Sequence, residues 1–208
     1  MKQFTISQKI YMGVKRVIDI LLSALALILL SWLFLILCIA IKMDSKGPIL
    51  FKQKRVGIHK THFMIYKFRT MRIDTPKDKP THMLADPEQY ITRVGKFLRK
   101  SSLDELPQII NILMGKMSIV GPRPALWNQY DLIEERDKYG ANDVMPGLTG
   151  WAQINGRDEL EIDVKAKLDG EYVKKFGFIM DLKCFFGTIT AVLSHKGVVE
   201  GGTGEMHK

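Results

Sequence analysis

The sequence predicts an α+β protein, mainly helical with a small β-hairpin, with an N-terminal membrane-anchoring helix and amphipathic helices suited to the interface. Three observations lead there. An uncharged run fills residues 20–41, a stretch of alternating apolar and polar residues follows it, and apolar residues at helical spacing occupy much of the remainder. With 208 residues and 46% apolar composition, the chain is long enough for one cored domain beside such an appendage.

The run from Ile20 to Ile41 reads ILLSALALILLSWLFLILCIAI. As a helix it extends about 33 Å, enough to cross a bilayer. It is too long for a signal-peptide core and no small-residue cleavage site follows, so it is expected to stay attached. Lys9, Lys15 and Arg16 precede it, and Lys42, Lys46, Lys52, Lys54 and Arg55 follow. Both ends thus carry the charge of a cytoplasmic face. A straight span puts one end on the wrong side, whereas a helix that enters, bends and returns satisfies both. The two topologies stand side by side at this point. Ser31 and Trp32 form the candidate bend, because a serine hydroxyl can take up backbone groups where a helix breaks. Asp19 either pairs with Arg16 three residues earlier or stays solvated outside the headgroups. Residues 1–46 are read as the anchor, 47–200 as a cytoplasmic domain, and 201–208, which lack periodicity, as a disordered tail.

Next, ILFKQKRVG and FMIYKFRTM read as two strands joined by the polar turn IHKTH. Period two places Lys67 and Arg69 on one face, where they can address one anion or form a cationic edge that discourages aggregation. Residues 72–87, with Pro76, Pro80 and Pro87, read as a loop. EQYITRVGKFLRK and the stretch from Phe178 to Lys196 read as amphipathic helices, suited either to core packing or to the membrane interface.

The 31 Lys and Arg against 22 Asp and Glu leave a formal charge of +9, which suits a phosphate-rich partner. The apolar run and the lack of interleaved aromatic and basic residues turn that reading away from nucleic acid, toward lipid or a phosphorylated substrate. Two cysteines, one inside the apolar run, make neither a disulfide framework nor a zinc site, and point to a reducing compartment. His59 and His62 fall in a turn without further ligands and read as solvated.

Chemistry concentrates in three segments. RKSSLDELPQIINIL reads as a helix start in which Ser102 and Glu105 have the spacing of a capping box. Alternatively Asp104 and Glu105, about 100° apart on a helix, divide roles, one attacking while the other holds a metal or water. Arg99 lies five residues before Asp104 and favours phosphate chemistry. Carboxylates repel a diphosphate unless a divalent cation bridges them, so Mg²⁺ at Asp104 and Glu105 is expected. In GPRP, prolines on both sides restrict the backbone of Arg123, which makes it a phosphate donor on a rigid support or part of a structural turn. In MPGLTGWAQINGR, Trp151, Gln153, Asn155 and Arg157 either bind a nucleobase and its phosphate or form a hairpin with Trp151 in the core.

Taken in order, the apolar segment, YKFRTM, SSLDELPQ, SIVGPRP and PGLTGWAQINGR resemble the bacterial sugar transferase family of monotopic phosphoglycosyl transferases, over nearly the whole chain. The resemblance implies an enzyme that moves a sugar 1-phosphate from a UDP-sugar to polyprenyl phosphate on the cytoplasmic face of the bacterial inner membrane, in glycoconjugate or exopolysaccharide synthesis. It implies that Asp104 attacks the β-phosphate and releases UMP, that Glu105 completes the acid pair, and that Arg99, Lys67, Arg69 and Arg123 stabilise phosphate charge. Gln153, Asn155 and Arg157 would meet the nucleotide. The resemblance also implies a re-entrant membrane helix, broken at a Ser-Pro pair, that touches only the cytoplasmic leaflet; here Trp32 stands after Ser31 in place of the proline. A rival reading, a basic membrane-tethered interaction module without catalysis, accounts for the charge and the amphipathic helices but not for the acid pair beside Arg99.

Overall fold

Thr5 opens the first helix with a reciprocal capping box, its hydroxyl accepting from the Gln8 amide while the Gln8 side chain accepts from the Thr5 amide. The resulting α1, Ile6–Leu29, runs into the apolar segment and breaks at Leu30, where α2, Ser31–Asp44, continues with a bend of 62°. The Ser31 hydroxyl donates to the Ile28 carbonyl at 2.8 Å, taking up an acceptor that the break leaves open. The predicted bend therefore falls where the serine stands. Trp32 points outward, 61% exposed, and Leu21, Leu25, Ile28, Leu35 and Ile39 are exposed with it. Neither helix alone is long and apolar enough to cross a membrane; the bent pair together meets that requirement by length and composition only. The computed structural model describes residues 2–75, 88–156 and 160–193, so the tail and much of the 72–87 loop lie outside the described residues.

One face of α1 is polar and buried. Lys15, Asp19 and Ser23, four residues apart, turn toward the domain. Lys15 and Tyr11 both donate to Asp181, at 2.5 and 2.7 Å, and Tyr172 reaches its other oxygen at 2.8 Å. A buried charge satisfied this fully ties the helix to its support. Neither alternative for Asp19 is realised: it is buried, and it does not pair with Arg16. Arg16 instead donates to the Ile112 and Leu113 carbonyls, and Asp19 accepts the Ile119 amide, because groups presented by the domain outcompete a solvated i, i+3 pair.

The expected hairpin forms from β1, Leu50–Val56, and β2, His62–Phe68, in antiparallel register with Phe51 opposite Lys67. Its tip, Ile58–Lys60, holds His59 and Lys60 at positive φ. Helix α3, Arg93–Lys100, begins at the Thr92 cap and buries Leu98 with Leu37, Ile41 and Phe68, so its apolar stripe is core except for exposed Phe97. A short α4, Gln108–Leu113, leads to β3, Ser118–Val120. After α5, Tyr130–Asp137, strand β4, Gly147–Thr149, lies parallel to β3. The hairpin reading of MPGLTGWAQINGR is thus corrected: Gly147–Thr149 pairs with a distant strand, and the chain then turns into α6, Trp151–Ile154. Helix α7, Ile162–Lys174, supplies Tyr172 and Val173 to the main core. The last helix, α8, Phe178–Leu193, buries Met180 and Cys184 and leaves Phe178, Leu182, Phe185, Phe186 and Ile189 exposed. Its apolar side faces outward, as an interfacial helix requires.

Candidate active site

Pro107 cannot donate a backbone hydrogen bond, and it sits at the N-cap of α4. The helix therefore starts later than the SSLDELPQ pattern suggests, and the acid pair occupies a tight turn, Leu103–Glu105, instead. Ser102 is left-handed at φ +56° and its hydroxyl caps nothing, so the capping-box alternative is not realised. Glu105 is freed to turn inward.

Two cations meet it there. Lys67 on β2 donates to Glu105 Oε1 at 2.8 Å, and Arg123 forks across both oxygens at 2.5 and 3.2 Å. Burial alone would raise the Glu105 carboxyl, but the Arg123 and Lys67 charges and hydrogen bonds outweigh it and hold the group well below the usual carboxylate range. Asp104 differs. Its nearest cation is Lys67 at 3.8 Å, and among the described residues it accepts no hydrogen bond. Burial pushes its carboxyl above the ordinary value, with Lys67 opposing and the Glu105 charge adding to the rise. Arg99 acts on it through charge rather than contact. The turn thus separates two neighbouring carboxylates into one matched by cations and one more basic, with lone pairs to spare.

The supports lie on three elements. Pro122 and Pro124 flank Arg123, and the Pro124 carbonyl accepts from Arg55 Nη1 at 3.0 Å. Asn111 of α4 lies behind β2, beside Lys67. Arg69 does not join the cluster. Buried at 5% exposure, it donates to the Ile41, Ser45 and Lys46 carbonyls and the Ser45 hydroxyl, closing the C-terminus of α2. The shared face holds only as far as β2 extends, and β2 ends at Phe68.

Gln153 is buried, and among the described residues neither atom of its amide has a partner. Asn155 is exposed and donates to the Trp151 carbonyl at 2.7 Å. Trp151 packs against the core and donates to Glu171 at 3.1 Å. Arg157 lies outside the described residues. His59 meets Asp143 at 3.0 Å, and among the described residues no group of three His, Cys, Asp or Glu side chains is placed to hold a metal. Sequence reasoning missed Arg55 and Asn111. Both left a signal: Arg55 shares the Lys67 face once the hairpin register is drawn, and Asn111 is a lone amide inside the apolar QIINIL.

An acid pair set among cations, one member matched by them and the other not, can act on a phosphate group, for which a passive tether has no use. Comparison with known proteins makes the class definite: the chain belongs to the bacterial sugar transferase family, whose model matches residues 10–195. It is 38% identical over 187 residues to the "Uncharacterized sugar transferase EpsL" of Bacillus subtilis (strain 168), covering 90% of this chain and 91% of that one. It is 40% identical over 183 residues to the UDP-glucose:undecaprenyl-phosphate glucose-1-phosphate transferase of Escherichia coli (strain K12), covering 84% and 39%. A UDP-N-acetylgalactosamine-undecaprenyl-phosphate N-acetylgalactosaminephosphotransferase of Aeromonas hydrophila is 37% identical over 196 residues, covering 90% and 45%. The chain thus spans less than half the length of these last two relatives.

Proposed function

We propose that the protein transfers a sugar 1-phosphate from a UDP-sugar to polyprenyl phosphate in two displacements at phosphorus. A carboxylate oxygen of Asp104 attacks the β-phosphorus, the bond to the bridging oxygen breaks, and UMP leaves with that oxygen. The phosphate of the lipid then attacks the same phosphorus and displaces Asp104, giving polyprenyl diphosphate sugar. The observation that carries this reading is the contrast within the acid pair: Glu105 is held by Arg123 and Lys67, whereas Asp104 is more basic and unencumbered. A more basic carboxylate is the better nucleophile. Lys67, Arg99 and Arg123 surround the place where the transferred phosphate would gather charge, and the unpartnered Gln153 amide is suited to the edge of a base. The relatives' names supply the substrate classes.

Magnesium fits this donor set, since it takes one or two carboxylates together with substrate phosphates. Asp104 would hold it, because both Glu105 oxygens are already taken, and the ion would offset phosphate charge. For placement, the reading is a re-entrant pair on the cytoplasmic face. Lys2 donates to the Val173 carbonyl at 3.0 Å, and Lys46 at the far end of the helix pair accepts from Arg69 at 2.9 Å. Both ends thus rest on one domain, which supports re-entry over a straight span.

A panel of UDP-sugars, presented with undecaprenyl phosphate and Mg²⁺ to the protein in lipid nanodiscs, tests the reaction by release of UMP. Omitting the lipid phosphate should trap radiolabelled sugar phosphate on the protein, and Asp104→Asn should trap none. Label retained by that variant would rule Asp104 out.

A further inference from the structure

Among the described residues the β1–β2 sheet has two strands, so the far edge of β2 has no strand beside it. The side chain of Asn111, 1% exposed on α4, covers that edge. Its Nδ2 donates to the Met64 carbonyl at 2.8 Å and its Oδ1 accepts the Tyr66 amide at 2.9 Å. These two groups flank Ile65 as the partners of a neighbouring parallel strand would, so one amide stands in for a third strand. The residue following Tyr66 is Lys67, and the turn before α4 carries Asp104 and Glu105. The far end of the same helix is held by Arg16 through the Ile112 and Leu113 carbonyls.

We infer that Asn111 is a positioning residue for the transferase, a brace between α4 and β2 that sets the reach of Lys67 to the acid pair. The inference rests on the function proposed above. Lys67 spans 2.8 Å to Glu105 and 3.8 Å to Asp104, and a strand displaced by an ångström would exchange those contacts or lose them. An amide is needed, because the site asks for one donor and one acceptor in fixed order. A carboxylate in its place has no proton for the Met64 carbonyl, whereas a protonated carboxyl does.

The test uses the full chain in nanodiscs, with undecaprenyl phosphate and whichever UDP-sugar of the panel supports UMP release. Asn111→Asp should lower kcat relative to wild type about tenfold at pH 8, the scale of one buried acceptor left unpaired, with little change in KM. The ratio should recover as the pH falls and the introduced carboxyl takes up a proton. In a Lys67→Met background the same substitution should change kcat less than twofold. A merely structural residue would give a loss that persists undiminished in the Lys67→Met background, and that result overturns the inference. Hydrogen exchange supplies a readout without turnover: Asn111→Ser should speed exchange of the Tyr66 amide, and unchanged protection would remove the brace. A wild-type protein that releases no UMP overturns the transferase reading instead, while the exchange result still decides the brace.

Discussion

Removing Arg123 tests how the acid pair is divided. The Arg123→Ala, Glu105→Gln and double variants form a thermodynamic cycle around the fork at 2.5 and 3.2 Å. Breaking a fully buried pair costs about 3–5 kcal/mol, and an exposed pair is worth about 0.2–1 kcal/mol. Arg123 is 36% exposed against 19% for Glu105, so water screens part of the attraction, and Lys67 stays behind at 2.8 Å. The expected coupling therefore lies between those limits, at about 1.5 kcal/mol, with about 2 kcal/mol for Arg123→Ala alone. For a chain of this size that is a fall in Tm of about 4–8 °C, read by thermal unfolding in nanodiscs. The pH dependence fixes the cause. A depressed carboxyl contributes stability above its unfolded value, 4.5 for Glu105, and loses it as the pH falls through the folded value. The gap between wild type and Arg123→Ala should thus be full at pH 7 and close steadily below 4.5. Coupling under about 0.5 kcal/mol, the ordinary limit of additivity, would refute the division of the pair, as would a gap indifferent to pH.

Asp104→Asn should cut UMP release by about 10³-fold or more, as losses of a covalent nucleophile do, while raising Tm at neutral pH. The sign follows from its raised carboxyl, whose contribution favours the fold at low pH and is lost as the pH climbs through the folded value; a lower Tm would contradict the burial described for it. The acid limb of kcat/KM should accordingly fall above 3.8, the ordinary aspartate value, and a limb below it would remove Asp104 as the titrating group. Cysteines placed at the exposed Gln3 and Lys46, in a Cys38→Ser background, should both label from the cytoplasmic side of intact cells, and labelling from opposite sides would establish a straight span. Arg69→Met should destabilise the protein by about 3 kcal/mol, because several buried carbonyls lose a charged donor together, yet leave the substrate KM near wild type. A large rise in KM with unchanged Tm would return Arg69 to the site.

Where one stretch of chain contains the whole cause, the sequence is legible. The hairpin follows from alternation, the helix break from a serine that can satisfy the opened turn, and the acid pair with its rigid arginine from composition alone. What stays hidden depends on groups brought from afar. Arg69 follows the carbonyls of α2 because that helix happens to end beside it, and Asp19 follows the Ile119 amide a hundred residues away. The β3–β4 pair is three residues long on each side, too short to show a period, and its parallel sense depends on the crossover through α5. In the SSLDELPQ turn two local rules conflict. Capping spacing calls for a helix at Ser102, Pro107 delays it, and the charges of Lys67 and Arg123 decide the outcome from other elements.

Two adjacent carboxylates in water would titrate almost alike, so the difference between them has to be built by the surroundings. Here the matching cations come from separate elements, each fixed by its own device: β2 by the Asn111 amide, and the Arg123 turn by two prolines and Arg55. Those elements are tied in turn to the apolar helix pair. Arg69 closes α2, Asp44 at its end accepts the Val94 amide of α3, and Arg16 of α1 holds the end of α4. The height of Asp104 above the exposed apolar surface of the helix pair is therefore set by buried polar bonds rather than by a linker. A substrate dissolved in water could find a site at any height. In the proposed reaction the acceptor's tail is confined to the bilayer and would present its phosphate only near the headgroups, and a rigid tie would convert that confinement into alignment with Asp104.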